Sequence, residues 1–148
     1  MADTTFLKGE VERYVRDQLA AEYGIPFQSR VLKLVTGGTH EFDAVSEDGR
    51  VVVAIKAASG LTSGGKNPVG KIMTAIAELY FLTLVSAEQR FLVLTNAEFH
   101  AILSRKMEGR LAQGLALKLV SLPPEIAESV GQIQDKASKE VSGPSRKT

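Results

Sequence analysis

Apolar positions up to residue 57 change from a helical to an extended spacing. Over residues 4–22 they recur every three or four positions, as on one face of an α-helix. These positions are Phe6, Leu7, Val11, Tyr14, Val15 and Leu19. Beyond Pro26, β-branched and aromatic residues separated by glycine-containing turns are typical of strands. Three strands are predicted, at Phe27–Val35, His40–Ser46 and Arg50–Ala57.

The remainder of the chain alternates between apolar helical segments and short apolar extended segments. After a Gly/Ser-rich loop, the predicted elements are a largely buried helix at Val69–Ala87, a strand at Arg90–Thr95, a helix at Ala97–Ala112, a strand at Leu115–Leu122 and a helix near Glu125–Lys136. We expect one domain over residues 1–136 and a disordered tail at residues 137–148. The order predicts an α/β fold with a mixed central β-sheet flanked by helices on both faces.

The second and third predicted strands are joined by a turn signal, Glu47-Asp48-Gly49, and so form a β-hairpin. A two-residue turn at Asp48-Gly49, or a four-residue loop in the same register, places Asp43 opposite Ala54. The same register places Glu41 opposite Lys56. Strand alternation divides the side chains between two faces. One face is predicted to carry Glu41, Asp43, Val45, Val52, Ala54 and Lys56, and the other His40, Phe42, Ala44, Val53, Ile55 and Ala57.

The hairpin sequence EFDAVSEDGRVVVAIKA, residues 41–57, resembles the core of PD-(D/E)XK nucleases, in which an acid, a hairpin and an acid-x-lysine triplet form the site. The α-β-β-β-α-β core order matches too, and the resemblance extends over residues 6–95. It is similar in particular to restriction-endonuclease-like and Holliday-junction-resolvase-like members. The resemblance implies a restriction-endonuclease-like fold, hydrolysis of DNA phosphodiesters with Mg²⁺ or Mn²⁺, and, as in many relatives, a homodimer.

The resemblance also implies roles for three residues. Asp43 would be a metal ligand. Lys56, the last residue of the triplet, would position or help deprotonate the attacking water and offset charge on the scissile phosphate. Glu10 would be the carboxylate that related nucleases often carry on their first helix, and a second metal ligand.

Helical geometry distinguishes Glu10 from its neighbour Glu12. Glu10 lies one turn from apolar positions, at the edge of the predicted buried stripe, where a carboxylate needs a partner or a metal. Glu12 lies one turn from Lys8 and Arg16, an arrangement typical of solvent-facing ion pairs. Glu10 is therefore the predicted functional carboxylate. The alternative is a carboxylate favoured near a helix N-terminus by the helix dipole.

One departure from the nuclease pattern concerns the triplet Ala54-Ile55-Lys56, whose first position is an acid in that superfamily. A methyl group cannot bind a metal. Three explanations are open: the acid has migrated to another position, catalysis has been lost while binding or a structural role is kept, or the alanine is an introduced substitution.

Two carboxylates are candidates for a migrated acid. Glu78 lies on the long predicted helix with Lys71 and Thr74, in a thin polar stripe on an otherwise apolar rod. Such a carboxylate is a metal candidate or a solvated group. Glu41 shares the predicted Asp43 face, but its position opposite Lys56 is more simply explained by an ion pair with that lysine.

The glycine-rich loop at residues 58–68 nearly matches a P-loop, but Asn67 follows Lys66 where a serine or threonine is required for Mg²⁺. Nucleotide hydrolysis is therefore disfavoured. Lys66 and Lys71, beside a helix N-terminus, are candidates for contact with a phosphate backbone. An ordinary surface loop is the alternative interpretation.

Composition limits the chemistry further. The chain has no cysteine, which excludes disulfides and thiolate metal sites, and it has two histidines. A catalytic metal would therefore be held by carboxylates, which suit Mg²⁺ or Mn²⁺. His40 is predicted on the strand face opposite Asp43. The net charge of +1 leaves DNA open as a partner, because local patches matter more than the sum.

No run of about 18 apolar residues is present, and the first ten residues lack the features of a signal peptide, so we expect a cytoplasmic protein without a membrane segment. The function predicted from the resemblance is metal-dependent cleavage of DNA, with Ala54 placing activity in doubt. The alternatives are a non-catalytic member of the same fold that binds DNA or a protein, and a structural domain.

Overall fold

The computed structural model describes residues 4–57 and 68–128. Its elements are α1 (Thr4–Tyr23), β1 (Phe27–Lys33), β2 (Thr39–Ser46), β3 (Val51–Lys56), α2 (Val69–Thr83), β4 (Gln89–Leu94), α3 (Ala97–Lys106) and β5 (Leu115–Leu119). Residues 124–128 are also helical. The predicted tail at residues 137–148 and the rest of the last predicted helix lie outside the described residues.

The strands form a five-stranded sheet in the order β1-β2-β3-β4-β5. The first three strands are an antiparallel meander, whereas β4 runs parallel to β3 and β5 runs parallel to β4. Parallel neighbours need a crossover that returns the chain to the same end of the sheet, and α2 and α3 supply the two crossovers. The predicted α/β fold with a mixed sheet flanked by helices is confirmed.

Helices cover both faces of the sheet, which is why its central strands are apolar on both sides. On one side, which we call the α1 face, the core is formed by Val11, Val15, Leu19, Phe27, Ala44, Val51, Val53, Ile55 and Val93. On the other side, the α2 face, α2 and α3 pack on the sheet. The strand residues buried there include Phe42, Val45, Val52, Ala54, Leu92 and Leu94.

Both central helices are shorter than their apolar pattern predicts. α2 ends at Thr83, where the Leu84 amide donates to the Phe81 carbonyl at 3.0 Å and tightens the last turn. Val85 is buried in the connection that follows, so apolar residues continue beyond the helix itself. α3 likewise ends at Lys106, before a turn with Gly109 at a φ of 73°. The prediction overextended α2 because the buried connection after it is as apolar as the helix itself. For α3 it continued past Lys106 into a turn whose residues Glu108, Gly109 and Arg110 are exposed.

The hairpin between β2 and β3 has the predicted register but the longer of the two loops considered. Ala44 pairs with Val53 and Val45 with Val52, and four residues separate the strands. The Ser46 hydroxyl donates to the Asp48 carboxylate at 2.7 Å and accepts from the backbone amide of Val51 at 3.0 Å. These side-chain bonds close the loop in place of a two-residue turn.

A β-bulge in β2 changes which face its side chains occupy. Two residues, Asp43 and Ala44, lie opposite the single residue Ser29 of β1. Phe42 and Val45, three positions apart, are therefore buried together on the α2 face. The predicted placement of Phe42 on the opposite face was wrong, because strict alternation assumes a strand without an extra residue.

Arg90 on β4 ties the end of α2 to the start of β5. Its Nη1 donates to the Leu82 carbonyl at 3.0 Å and its Nη2 to the Gln113 carbonyl at 2.6 Å. The Leu82 carbonyl belongs to the last turn of α2, where a cation is also favoured by the helix dipole. The Nε atom is buried without a hydrogen-bond partner. Arg90 therefore has a structural role, because it joins the end of α2 to the segment before β5.

Replacing Arg90 with methionine is expected to destabilise the fold by about 2–4 kcal/mol, because two charge-assisted hydrogen bonds are lost and two carbonyls lose a donor. Methionine keeps an unbranched side chain, so packing along the stem changes little. Urea unfolding measures the effect, with Arg30→Met on the exposed edge strand as the control, expected to change stability by less than about 0.5 kcal/mol. Equal stability of the two variants would contradict this structural role of Arg90.

Candidate active site around Asp43

The bulge in β2 places the Asp43 carboxylate where a backbone ladder would otherwise continue. Its Oδ2 accepts a hydrogen bond from the backbone amide of Ile55 on β3 at 2.8 Å. The backbone carbonyl of Asp43 accepts a second hydrogen bond, from Nη1 of Arg16 on α1, at 3.0 Å. The carboxylate thus substitutes for a missing strand acceptor, and Asp43 is held through both its side chain and its backbone carbonyl.

The environment of Asp43 opposes its ionisation. Burial raises the pKa of this carboxyl above its usual value, and the nearby Glu78 carboxylate raises it further. The hydrogen bond from Ile55 lowers the pKa in part, as do the charges of Lys8 and Arg16. A buried carboxylate near a second carboxylate is stabilised by a cation, so this arrangement suits a positively charged ligand.

Lys56 is the last residue of β3, at the carboxyl end of the parallel part of the sheet. Burial lowers the pKa of its ammonium group; the Glu78 carboxylate raises that pKa, and the charges of Lys8 and Lys71 lower it. Asp43 raises it as well. Both carboxylates therefore act on Lys56, whose chain neighbour Ile55 donates its backbone amide to Asp43.

Glu78 reaches this group of charges from the middle of α2. Its Oε1 lies 3.4 Å from Nε2 of His40 on β2, and its side chain is 30% exposed. Its charge acts on the pKa of both Asp43 and Lys56. The candidate migrated acid of the sequence analysis is thus brought into the neighbourhood of the hairpin residues. We use the name Asp43 cluster for Glu12, Asp43, Lys56 and Glu78.

The solvent-facing orientation predicted for Glu12 was wrong. Glu12 has a side chain 17% exposed, whereas that of Glu10 is 35% exposed and pairs with Arg13 at 3.3 Å. Burial raises the pKa of Glu12, and the Asp43 carboxylate raises it further. Glu12 does lie near Lys8 and Arg16, as predicted, but on the side of α1 that faces the sheet.

His40 was also misplaced by strict alternation. The bulge carries it to the α2 face, where its ring stacks on Phe81 of α2 with centroids 4.0 Å apart and planes within 8°. Its ring also meets the edge of Phe42 at 4.9 Å. Sequence reasoning therefore missed two neighbours of the site, Glu12 and His40. The second could have been found only by anticipating the bulge.

Two further predictions concern the hairpin faces. Glu41 accepts a hydrogen bond from the Ser29 hydroxyl at 2.9 Å, so the structure engages it across β1 and β2. The predicted ion pair between Glu41 and Lys56 is not among the salt bridges within residues 4–57 and 68–128. Ala54 is fully buried in the α2-face core, where a larger polar side chain has no access to solvent.

Of the two lysines predicted to contact a phosphate backbone, Lys71 is described by the structure and Lys66 is not. Lys66 and the P-loop-like segment lie outside the described residues. Lys71, in the first turn of α2, is partly exposed, and its charge acts on Lys56. Two cationic side chains, Lys8 and Lys71, therefore flank the Asp43 cluster from opposite helices.

The Asp43 cluster contains carboxylate oxygens, the type of ligand that hard divalent cations prefer. Among the residues that the structure describes, no three acidic or histidine side chains are grouped closely enough to hold a metal by themselves. Mg²⁺, however, is commonly bound through one or two carboxylates, with water and substrate phosphates supplying the other oxygens. Asp43 and Glu78 are both carboxylates, and the charge of Glu78 raises the pKa of Asp43.

Comparison with known proteins adds no family to this picture: no family model, curated protein or solved structure matches the chain significantly. Over residues 4–57 and 68–128, no helix is both long enough and apolar enough to cross a bilayer.

Proposed function

We propose that this chain is a nuclease-like domain of the PD-(D/E)XK type that hydrolyses DNA phosphodiesters with Mg²⁺ or Mn²⁺. The observation that carries the proposal is the convergence of Asp43, Lys56 and Glu78 at the carboxyl end of β3, where the charge of each carboxylate reaches the lysine. Ligands of open α/β sheets bind at the carboxyl ends of parallel strands, which supports a site at this position.

In this proposal Asp43 and Glu78 hold the cation, and Glu78 replaces the acid that is missing at Ala54. This corresponds to the explanation in which the acid has migrated from position 54 to another position. When bound, Mg²⁺ supplies Lewis-acid polarisation of the scissile phosphate. The neighbouring Glu12 carboxylate adds negative charge that favours binding of a cation. Burial raises the pKa of Glu12, and the Asp43 and Glu41 carboxylates raise it further.

Lys56 supports the nucleophile in the proposed reaction. Burial lowers the pKa of its ammonium group, and that group can donate a hydrogen bond that positions the attacking water. In its charged form it offsets negative charge on the phosphate. Lys8 and Lys71 add positive charge around the site, which favours contact with a DNA backbone.

A second candidate is a non-catalytic member of the same fold that binds DNA through this surface. The observation in its favour is Ala54, whose methyl group is buried in apolar packing where the superfamily has an acid. Binding requires only the cationic side chains that flank the cluster. The two candidates differ in whether Glu78 is needed for a reaction.

Replacing Glu78 with glutamine tests the difference. We expect Mg²⁺- or Mn²⁺-dependent cleavage of plasmid and branched DNA by the wild-type chain, and a loss of more than about tenfold in Glu78→Gln, because a neutral amide binds hard cations less well than a carboxylate. The control is Glu98→Gln on the exposed side of α3, which is expected to cut at the wild-type rate. Glu12→Gln is expected to reduce cleavage more than Glu10→Gln.

Three other outcomes would change the assignment. Cleavage by Glu78→Gln at the wild-type rate would remove Glu78 from the metal site. DNA binding without cleavage by any variant would favour the binding module. Absence of both cleavage and DNA binding in the wild-type chain would leave the structural domain that the sequence also allowed.

A further inference from the structure

We propose that His40 is a positioning residue that holds the Glu78 carboxylate toward Asp43 and Lys56. This inference rests on the proposed function, because it concerns the same cation site. It adds a residue that neither the hairpin motif nor strand alternation identifies. Its basis is the way in which one imidazole ring is fixed by aromatic neighbours and directed at a carboxylate.

The ring of His40 is held by two aromatic side chains from different elements. It stacks on Phe81 of α2, with centroids 4.0 Å apart and planes 8° apart. It meets Phe42 of β2 at 4.9 Å and 71°, an edge-to-face contact. A ring packed on one face and against one edge has little freedom to rotate, so the direction of its nitrogen atoms is fixed.

The same ring points a nitrogen at Glu78. Nε2 of His40 lies 3.4 Å from Oε1 of Glu78, a long hydrogen bond of the kind that tightens when a ligand fills a site. An ionised carboxylate can only accept, so Nε2 carries the proton in this contact. Glu78 and Phe81 are three residues apart on α2 and share one surface of that helix, which lets His40 stack on one while bonding to the other.

A fixed donor on a ligand carboxylate is a common feature of metal sites. Outer-shell hydrogen bonds hold a ligand in its binding orientation, and their removal typically weakens metal affinity by about 10–100-fold. Glu78 is a partly exposed side chain with several rotatable bonds, so without a partner it would sample many orientations. His40 restricts Glu78 before a cation arrives.

Titration with Mn²⁺ alone, followed by the electron paramagnetic resonance of free Mn²⁺, tests the inference. His40→Phe keeps an aromatic ring for stacking on Phe81 but lacks the nitrogen donor. We expect it to bind Mn²⁺ about tenfold more weakly than the wild-type chain, at the lower end of the outer-shell range, with an unchanged thermal midpoint. His40→Gln restores an N–H donor and is expected to recover part of the affinity. Glu78→Gln marks the loss of the ligand itself.

A metal-free measurement examines the contact independently. The chain has two histidines, so the ¹⁵N resonances of His40 are assigned by comparison with His40→Phe. We expect the wild-type spectrum to show His40 with the proton on Nε2, and Glu78→Gln to change the Nε2 shift. An unchanged shift in Glu78→Gln would show that the contact does not form in solution and would overturn the inference.

The outcomes separate this inference from the proposed function. If the wild-type chain binds Mn²⁺ and His40→Phe binds it equally well, the positioning role is overturned while the cation site stands. If the wild-type chain binds no Mn²⁺, the proposed function fails first, and the inference fails with it. Weaker binding by His40→Phe together with a lower thermal midpoint and no recovery in His40→Gln would indicate a packing role only, and would also overturn the inference.

Discussion

Asp43→Asn is expected to abolish metal-dependent DNA cleavage while leaving the folded protein at least as stable as the wild type at neutral pH. Asparagine keeps an oxygen that can accept the hydrogen bond from the Ile55 amide, so the bulge retains its closing contact. It lacks the negative charge that makes a carboxylate a stronger ligand for a hard cation than a neutral amide. Removing a ligand is expected to lower cleavage by more than about 100-fold, beyond the range for outer-shell partners.

The stability part of this prediction depends on pH. Because the folded pKa of Asp43 is raised above 3.8, its titration contributes stability that is fully present below that pH and is lost as pH rises through the raised pKa. Asparagine does not titrate. The stability of Asp43→Asn relative to the wild type should therefore increase from pH 4 toward pH 7, as measured by urea unfolding at both values.

Two control variants separate charge from structure at this position. Asp43→Ala also loses activity but leaves the buried Ile55 amide without an acceptor, at a cost of about 1–3 kcal/mol. Asp17→Asn, on the exposed side of α1, should change neither cleavage nor stability. If Asp43→Asn is as destabilised as Asp43→Ala and still cuts DNA, Asp43 serves the fold alone.

Introducing the missing acid is expected to damage the fold without creating activity. Ala54 has no exposed surface and packs in the α2-face core with residues such as Phe42 and Ile72. A glutamate there leaves a buried charge without a partner, which costs about 3–5 kcal/mol. That is a large fraction of the roughly 5–15 kcal/mol by which a domain is stable. Urea unfolding of Ala54→Glu measures the loss.

Ala54→Gln is the matched control, because glutamine has nearly the size of glutamate and carries no charge. The stability difference between the two variants isolates the charge, and it should shrink on acidification as the buried carboxyl is protonated. Both variants should show no more cleavage than the wild type. Cleavage by Ala54→Glu alone would contradict the role proposed for Glu78 and would show that the chain is a nuclease scaffold lacking one ligand.

The local sequence pattern was enough to predict most elements and the register of the hairpin. The apolar spacing identified α1. The turn signal at Glu47-Asp48-Gly49 predicted the register of the hairpin. Helix ends were less well predicted, since Leu84 and Val85 remain in the core after α2 has ended. An apolar pattern shows which residues are buried, and the connection after α2 is buried as well, so the pattern does not mark where the helix ends.

The local sequence pattern predicted only part of the candidate site. Asp43 and Lys56 were found because they are close in sequence, on two strands joined by a short loop. Glu12 was missed because the edge of a helical stripe does not show which glutamate lies over the bulge. Ala44 and Val45 are both buried, but adjacent buried residues are also expected wherever helices cover both faces of a sheet. The pattern therefore did not reveal the bulge.

The sequence by itself determined a mixed α/β fold, a hairpin with Asp43 and Lys56 on neighbouring strands, and the absence of an acid at position 54. These follow from periodicity and turn chemistry, which act over a few residues. Only the tertiary structure decided that Glu78 and His40 contact each other beside the hairpin. One added residue in β2 turns His40 toward α2, and the packing of α2 on the sheet brings Glu78 to it. Contacts of this kind depend on long-range packing, which a local pattern does not encode.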